Sequence, residues 1–177
     1  MLVRIVFYLL IPLIMSIESQ ASINDIKIAI VDVQVIMDRS TAVSSIRANV
    51  DKLNQSLQDE FSLKEQELKI MESAIIEKKS TMSQDEFEHE LIEFEKKVSN
   101  SQKTIHNKKI ILEQAHARAM SEVNDVAMQI VSDIAFENKY YLVLPSNQAL
   151  YINEKLDITE EVLSRLNKKL LTVDINL

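Results

Sequence analysis

Along residues 43–138 apolar side chains recur at helical intervals between charged ones, and neither glycine nor proline interrupts them. The return half is the most regular. Leu91, Val98, Ile105, Leu112, Ala119 and Val126 follow one another every seven residues, with Phe87, Phe94 and Ala115 at several companion positions. A seven-residue apolar repeat lays one seam along a helix, and that seam must be buried against another helix. In the outbound half Ile46, Val50, Leu53 and Leu57 keep 4-3-4 spacing. The extra step past Phe61 to Leu68, Met71 and Ile75 reads as a stutter that locally unwinds a supercoil.

Ser80-Thr81-Met82-Ser83 marks a tip near residues 80–84, and Ser83 followed by Glu86 predicts a capping box that opens a second helix. Helices joined by so short a loop run antiparallel. The stretch is therefore expected as a hairpin arm whose return helix is about 80 Å long at 1.5 Å per residue. Its expected seam includes Leu53, Leu57, Leu91, Val98, Ile105 and Leu112. Glu60–Lys64 and Glu65–Lys69 are spaced for i,i+4 pairs on a solvated face.

The flanks change character. Residues 26–33 are rich in β-branched side chains with apolar residues on both faces, which predicts a strand buried on two sides. Gln34–Ser40 is expected as a short helical turn, with Ser40 or Thr41 capping the outbound helix. After the arm, Tyr140–Leu144 and Ala149–Ile152 read as two further strands around a Pro145–Gln148 turn. Asp157 with Glu160 is spaced as another capping box, and Val162, Leu163, Leu166 and Leu170 give a short amphipathic helix. Residues 22–42 and 139–177 thus form one body, with Ile28, Ile30, Val31, Leu142, Val143, Leu150 and Ile152 as its expected strand core. Three strands cannot close a barrel and leave two edges, so a homo-oligomer whose strands complete one another is expected.

Composition narrows the chemistry. The chain has 177 residues, one domain's worth, with no cysteine and no glycine. Disulfides, Cys-based zinc sites, phosphate-binding glycine loops and nucleophile elbows are excluded together. A net charge of −7 disfavours duplex nucleic acid. Arg4, the apolar run Ile5–Met15 and the small residues Ser19 and Ala21 have the order of a secretory signal peptide over residues 1–21. The run is shorter than the roughly 20 residues that a membrane-spanning helix needs, which weighs against a retained anchor. A cleaved leader on a cysteine-free acidic chain suggests a periplasmic protein.

Candidate sites weigh towards bland readings. His89-Glu90-Leu91-Ile92-Glu93 is similar to a helical metalloprotease motif but has Glu where the second His is required. His106 and His116 stand about 15 Å apart along one helix, too far to share a metal. Paired carboxylates are common on any charged helix, so no catalytic residue, metal or cofactor is expected. Lys78 and Lys79 at the tip allow at most a peripheral membrane contact and read better as solvated. Met82 is the candidate for an exposed, adaptable client contact.

Both flanks carry a resemblance. Lys27-Ile28-Ala29-Ile30-Val31-Asp32-Val33-Gln34, Tyr141–Leu144, Leu150-Tyr151-Ile152 and the Asp157–Asn167 segment resemble the Skp/OmpH family of periplasmic chaperones. With the leader and the hairpin the likeness spans essentially the whole mature chain. It implies an α+β, mostly α fold: a small body closed as an oligomeric β-barrel, and long antiparallel coiled-coil hairpin arms. It further implies a homotrimer whose arms enclose unfolded outer-membrane proteins as clients, without nucleotide. Family members often have basic arms, whereas here Asp85-Glu86, Glu88, Glu90 and Glu93–Glu95 are acidic, so no lipopolysaccharide site is carried over. The competing reading is a coiled-coil spacer or adaptor of the cell envelope. Adaptors of efflux systems flank such a hairpin with lipoyl-like β modules, and this chain has no room for one.

Overall fold

The computed structural model describes residues 26–175. The expected signal peptide lies outside them. Strand β1 (Ile28–Val31) leads into helix α1 (Val33–Arg39), then the two arm helices α2 (Thr41–Lys78) and α3 (Gln84–Asn138). Strand β2 (Leu142–Pro145) and helix α4 (Thr159–Lys169) follow, with 3-10 turns at Ser146–Gln148 and Glu154–Leu156.

The strands pair in parallel, Ile28 beside Leu142 and Ile30 beside Leu144. A parallel pair needs a crossover, and here the whole hairpin is the crossover. The sheet has two strands among the described residues, not three. Ala149–Ile152 is irregular, with a bend at Leu150, and pairs with no strand among the described residues: Leu150 is 108% exposed and Tyr151 84%. β-branched and aromatic residues give a segment strand propensity, but a strand also needs a partner edge, and this chain brings none beside it. Instead the far side of β1 is closed by Asp157, and the Ile158 N–H donates to the Ile30 carbonyl at 2.9 Å.

The core sits where the arm meets the body. Along α3 the buried residues are Leu112, Ala115, Ala119, Val123, Ala127, Ile130 and Ile134. Eleven residues separate Leu112 from Val123 and Val123 from Ile134, which is the repeat of a nearly straight helix rather than of a left-handed supercoil. The seven-residue series therefore drifts off the contact: Val126 is half-buried while Ala127 is fully buried. The three alanines let α2 approach through Ala42, Val43 and Ile46. Beyond the start of α2, the same stripe receives Val162, Leu163 and Leu166 of α4, and α1, with Ile36 buried, packs in turn on α4 and α2. Burying Ile36, Ile46, Val123 and Ile134 stabilises the junction by about 1.5–3 kcal/mol each. The tail packs back as well, with Val173 buried.

Polar contacts lock the ends. Asp32 caps α1, accepting from the Val35 N–H at 3.0 Å and the Ser146 hydroxyl at 2.8 Å. Those donors hold its carboxyl below the usual range, the Val35 bond being the larger cause. The Asp32 N–H donates to Thr159 Oγ1 at 2.8 Å, satisfying a buried hydroxyl. Arg165 clasps Glu137 of α3 through two bonds of 2.8 and 2.7 Å and also meets Glu161, tying α4 to the end of the arm. Arg39 pairs with Glu160. The Asp157–Glu160 capping box is not formed. Asp157 lies one place before the N-cap, Ile158, and accepts from the Thr159 N–H at 2.8 Å.

Two helix ends depart from local rules. Ser40 occupies the N-cap of α2 but its hydroxyl makes no capping bond and is buried without a partner among the described residues. Asn167 of α4 does the capping instead, its Oδ1 accepting from the Thr41 N–H at 2.9 Å. α3 ends on Lys139 in the left-handed conformation, φ 58°, with the Tyr140 N–H donating to the Ala135 carbonyl. Glycine normally fills that position, and this chain has none.

Asn167→Ala should lower stability by about 1 kcal/mol, the usual worth of a cap, whereas Ser40→Ala should leave it unchanged or raise it, because an unpaired buried hydroxyl is removed. Denaturant melts of the two variants check this, and the reverse ranking contradicts the cap assignment. Lys139→Gly should raise the stability by up to about 1 kcal/mol at the left-handed position, and the melting midpoint with it. A lower midpoint would contradict that assignment.

Candidate functional site

The outer half of the arm is built differently from its base. Glu60, Lys64 and Glu67 of α2 and Lys97, Ser101 and Lys108 of α3 stand at or beside the seam where the base has alanine and isoleucine. The polar side chains pair with one another. Lys108 Nζ lies 2.6 Å from both carboxylate oxygens of Glu60 on the opposite helix, and Lys64 meets Glu67 at 2.7 Å. Neither Glu60–Lys64 nor Glu65–Lys69 forms the i,i+4 pair that their spacing allows, since Glu60 reaches across the hairpin and Lys64 reaches forward by three. Lys64 is the largest cause holding the Glu67 carboxyl below its usual range.

Of the expected seam residues, Leu53, Leu57, Val98 and Ile105 are half-buried and Leu112 is fully buried. Leu91 is 39% exposed, at the margin of the contact rather than inside it, because the apolar layer has thinned to Ile75 at that end. Met71 and Lys97 touch across the hairpin at 3.7 Å, Nζ to Sδ. At the tip the Ser83–Glu86 capping box is formed, and Lys79 sits over the Phe87 ring at 5.2 Å. Met82 is half-buried rather than exposed, against Asp85, Glu86, His89 and Glu90. Its thioether is partly covered by the first turn of α3.

Thin packing at the polar level leaves an open groove on each side of the hairpin. One, about 330 Å³, is lined by the polar Glu60, Glu67, Lys97, Asn100 and Thr104 together with Leu68, Met71 and Ile105. The other, about 380 Å³, has an apolar floor of Phe61, Leu68, Phe94, Val98 and Ile105, with Glu65, Lys69 and Glu72 beside it. Lys64, Leu68, Ser101 and Ile105 border both grooves, so a single layer of side chains separates them. Leu63, Ile70, Ile76 and Ile92 add further exposed apolar side chains on the same half of the arm. The sequence carried a signal for this contrast: Ser101 and Lys108 hold the companion positions that Phe94 and Ala115 fill on either side.

The body has its own exposed apolar cluster. Phe136, Tyr141, Leu142, Leu150 and Tyr151 face solvent around β2, whose outer edge is unpaired among the described residues. Of the residues expected in the strand core, Ile30 and Val31 are buried, Ile28 and Val143 half-buried, and Leu142 exposed. Leu150 and Ile152 are not in the sheet.

No site with a chemical task emerges from the titrating groups. The carboxyls with displaced acidity, Asp32, Asp38, Glu67, Glu86, Glu93 and Glu137, are all held low by hydrogen-bond donors, which keeps them as carboxylates. Among the described residues no group of three or more histidines or carboxylates is placed to hold a metal ion. Among them, too, no helix is long and apolar enough to cross a membrane.

Comparison with known proteins agrees with this architecture. A solved structure from Caulobacter crescentus CB15, described as OmpH-like, superposes with a TM-score of 0.78 at 19% identity, covering 85% of this chain and 89% of that one. No curated protein matches the chain. The model of the OmpH family, described as outer membrane protein (OmpH-like), matches residues 27–166. That span runs from β1 through both arm helices into α4, and the chain belongs to the OmpH-like family.

Proposed function

We propose that the protein is an ATP-independent holdase of the periplasm that keeps unfolded outer-membrane proteins from aggregating before they are inserted. The observation that carries this reading is the outer half of the arm, where Phe61, Leu68, Phe94 and Val98 floor an open groove and Leu63, Ile70 and Ile92 face water. Soluble proteins seldom leave so much apolar surface uncovered unless it binds something. A long, shallow surface suits many weak contacts with an extended chain and no single specific ligand. The Caulobacter structure of the same fold is described as an outer-membrane chaperone, which supports the client class. The order of residues 1–21 supports the compartment.

The acting unit in this reading is a homotrimer. An unpaired β2 edge and an exposed Phe136, Tyr141, Leu150 and Tyr151 call for a protein partner, and a second copy supplies both strand and apolar surface. Ala149–Ile152, irregular and unpaired among the described residues, then straightens into a strand against the neighbouring copy. Three bodies joined this way hold three arms around a space that can enclose a client.

The purified mature protein should suppress light scattering of a urea-diluted outer-membrane barrel protein at near-stoichiometric trimer; scattering unchanged by its presence would overturn the reading. Leu150→Asp should leave each chain folded, since the side chain has no intrachain contact to lose, yet convert the oligomer to monomer in sedimentation. An intact trimer would contradict the assembly surface.

A further inference from the structure

Charge is distributed unevenly along the arm, and the apolar groove lies at the boundary. Residues 72–95, around the tip, hold eight carboxylates against two lysines, a net −6. The remainder of the arm, 43–71 and 96–138, balances ten charges of each sign. The arm's entire net charge therefore sits on its outer end. Ion pairing does not cancel it: within that section only Glu93 has a basic salt-bridge partner, Lys96, just outside it, among the described residues. The groove floored by Phe61, Leu68, Phe94 and Val98 meets this section at Glu72 and at Phe94 itself, which two carboxylates, Glu93 and Glu95, flank in sequence.

We infer that the arm is selective for cationic client segments, in which apolar side chains seat in the Phe61–Phe94 groove while neighbouring lysines and arginines lie along the acidic end. This rests on the holdase reading and adds the charge of the segment bound. A concentrated field of one sign beside an apolar docking surface raises the encounter rate of oppositely charged chains and repels like-charged ones. The apolar floor supplies the charge-independent part of the affinity, so the two contributions separate experimentally. Screening separates them as well, because exposed charges lose their reach as the Debye length falls to about 3 Å at 1 M salt.

The test uses the assembled mature protein and two fluorescent peptides of about ten residues with the alternating apolar pattern of a barrel strand, one with Lys and the other with Glu at the intervening positions. At low ionic strength the Lys peptide should bind at least about tenfold more tightly by anisotropy, and the difference should shrink towards unity at 1 M salt. The triple reversal Glu88→Lys, Glu90→Lys, Glu95→Lys brings the outer section to neutrality while sparing the capping box, and should abolish the preference. Phe61→Ala should weaken both peptides equally and keep the preference. Equal binding of both peptides by the unmodified protein, or a preference that survives the triple reversal, overturns the inference while leaving the holdase reading standing. Binding of neither peptide overturns both.

Discussion

A single stripe of α3, from Leu112 to Ile134, joins what would otherwise be separate pieces. A two-stranded sheet has too little surface to fold alone, and a hairpin of two helices buries only a narrow seam. The stripe gives both something to bury against. Its lower part takes the start of α2 and its upper part takes α4, on which α1 packs in turn, so arm and body share one core. The small side chains Ala115, Ala119 and Ala127 are what allow helices to approach closely there, and the straight eleven-residue repeat is what keeps one face inward over six turns.

Past Leu112 towards the tip the same helix makes a different compromise. Glu60, Lys64, Ser101 and Lys108 replace apolar residues in the contact, and among the described residues one exposed ion pair, Glu60–Lys108, crosses between the helices, contributing little. The hairpin consequently leaves apolar side chains open to water in both grooves, with Phe61 and Phe94 in one of them. A tighter seam would stiffen the arm and hide the surface that the proposed activity uses. The acidic outer section keeps such a surface soluble, since like charge opposes association of the exposed patches.

The hairpin was legible because its seam, its capping box at Ser83–Glu86 and its freedom from helix breakers all point the same way. β1 was legible for the same reason, its two apolar faces matching a buried strand. Reading failed where a partner distant in sequence decides the outcome. Ala149–Ile152 has strand composition but no edge to pair with inside the chain. Ser40 has the right identity for a cap, yet Asn167, far along the chain, takes the bond. Glu60 chose Lys108 across the hairpin over Lys64 on its own helix. Periodicity of seven also concealed the drift to eleven at the base, which Val126 and Ala127 reveal only once burial is known. The apolar groove is not legible in the sequence because its floor joins Phe61 and Phe94 from opposite helices, a proximity that register alone sets.

One arm combines a packed base with an under-packed outer end, the surface proposed to meet the client. Amide hydrogen exchange resolved along α2 and α3, with and without an unfolded barrel protein, tests it directly. The account predicts slow exchange over 112–134 in both states, faster exchange over 84–105 in the free protein, and selective slowing over 61–72 and 94–105 when the client is added. Uniform protection along the free arm, or a client that slows exchange only in the base, would contradict it.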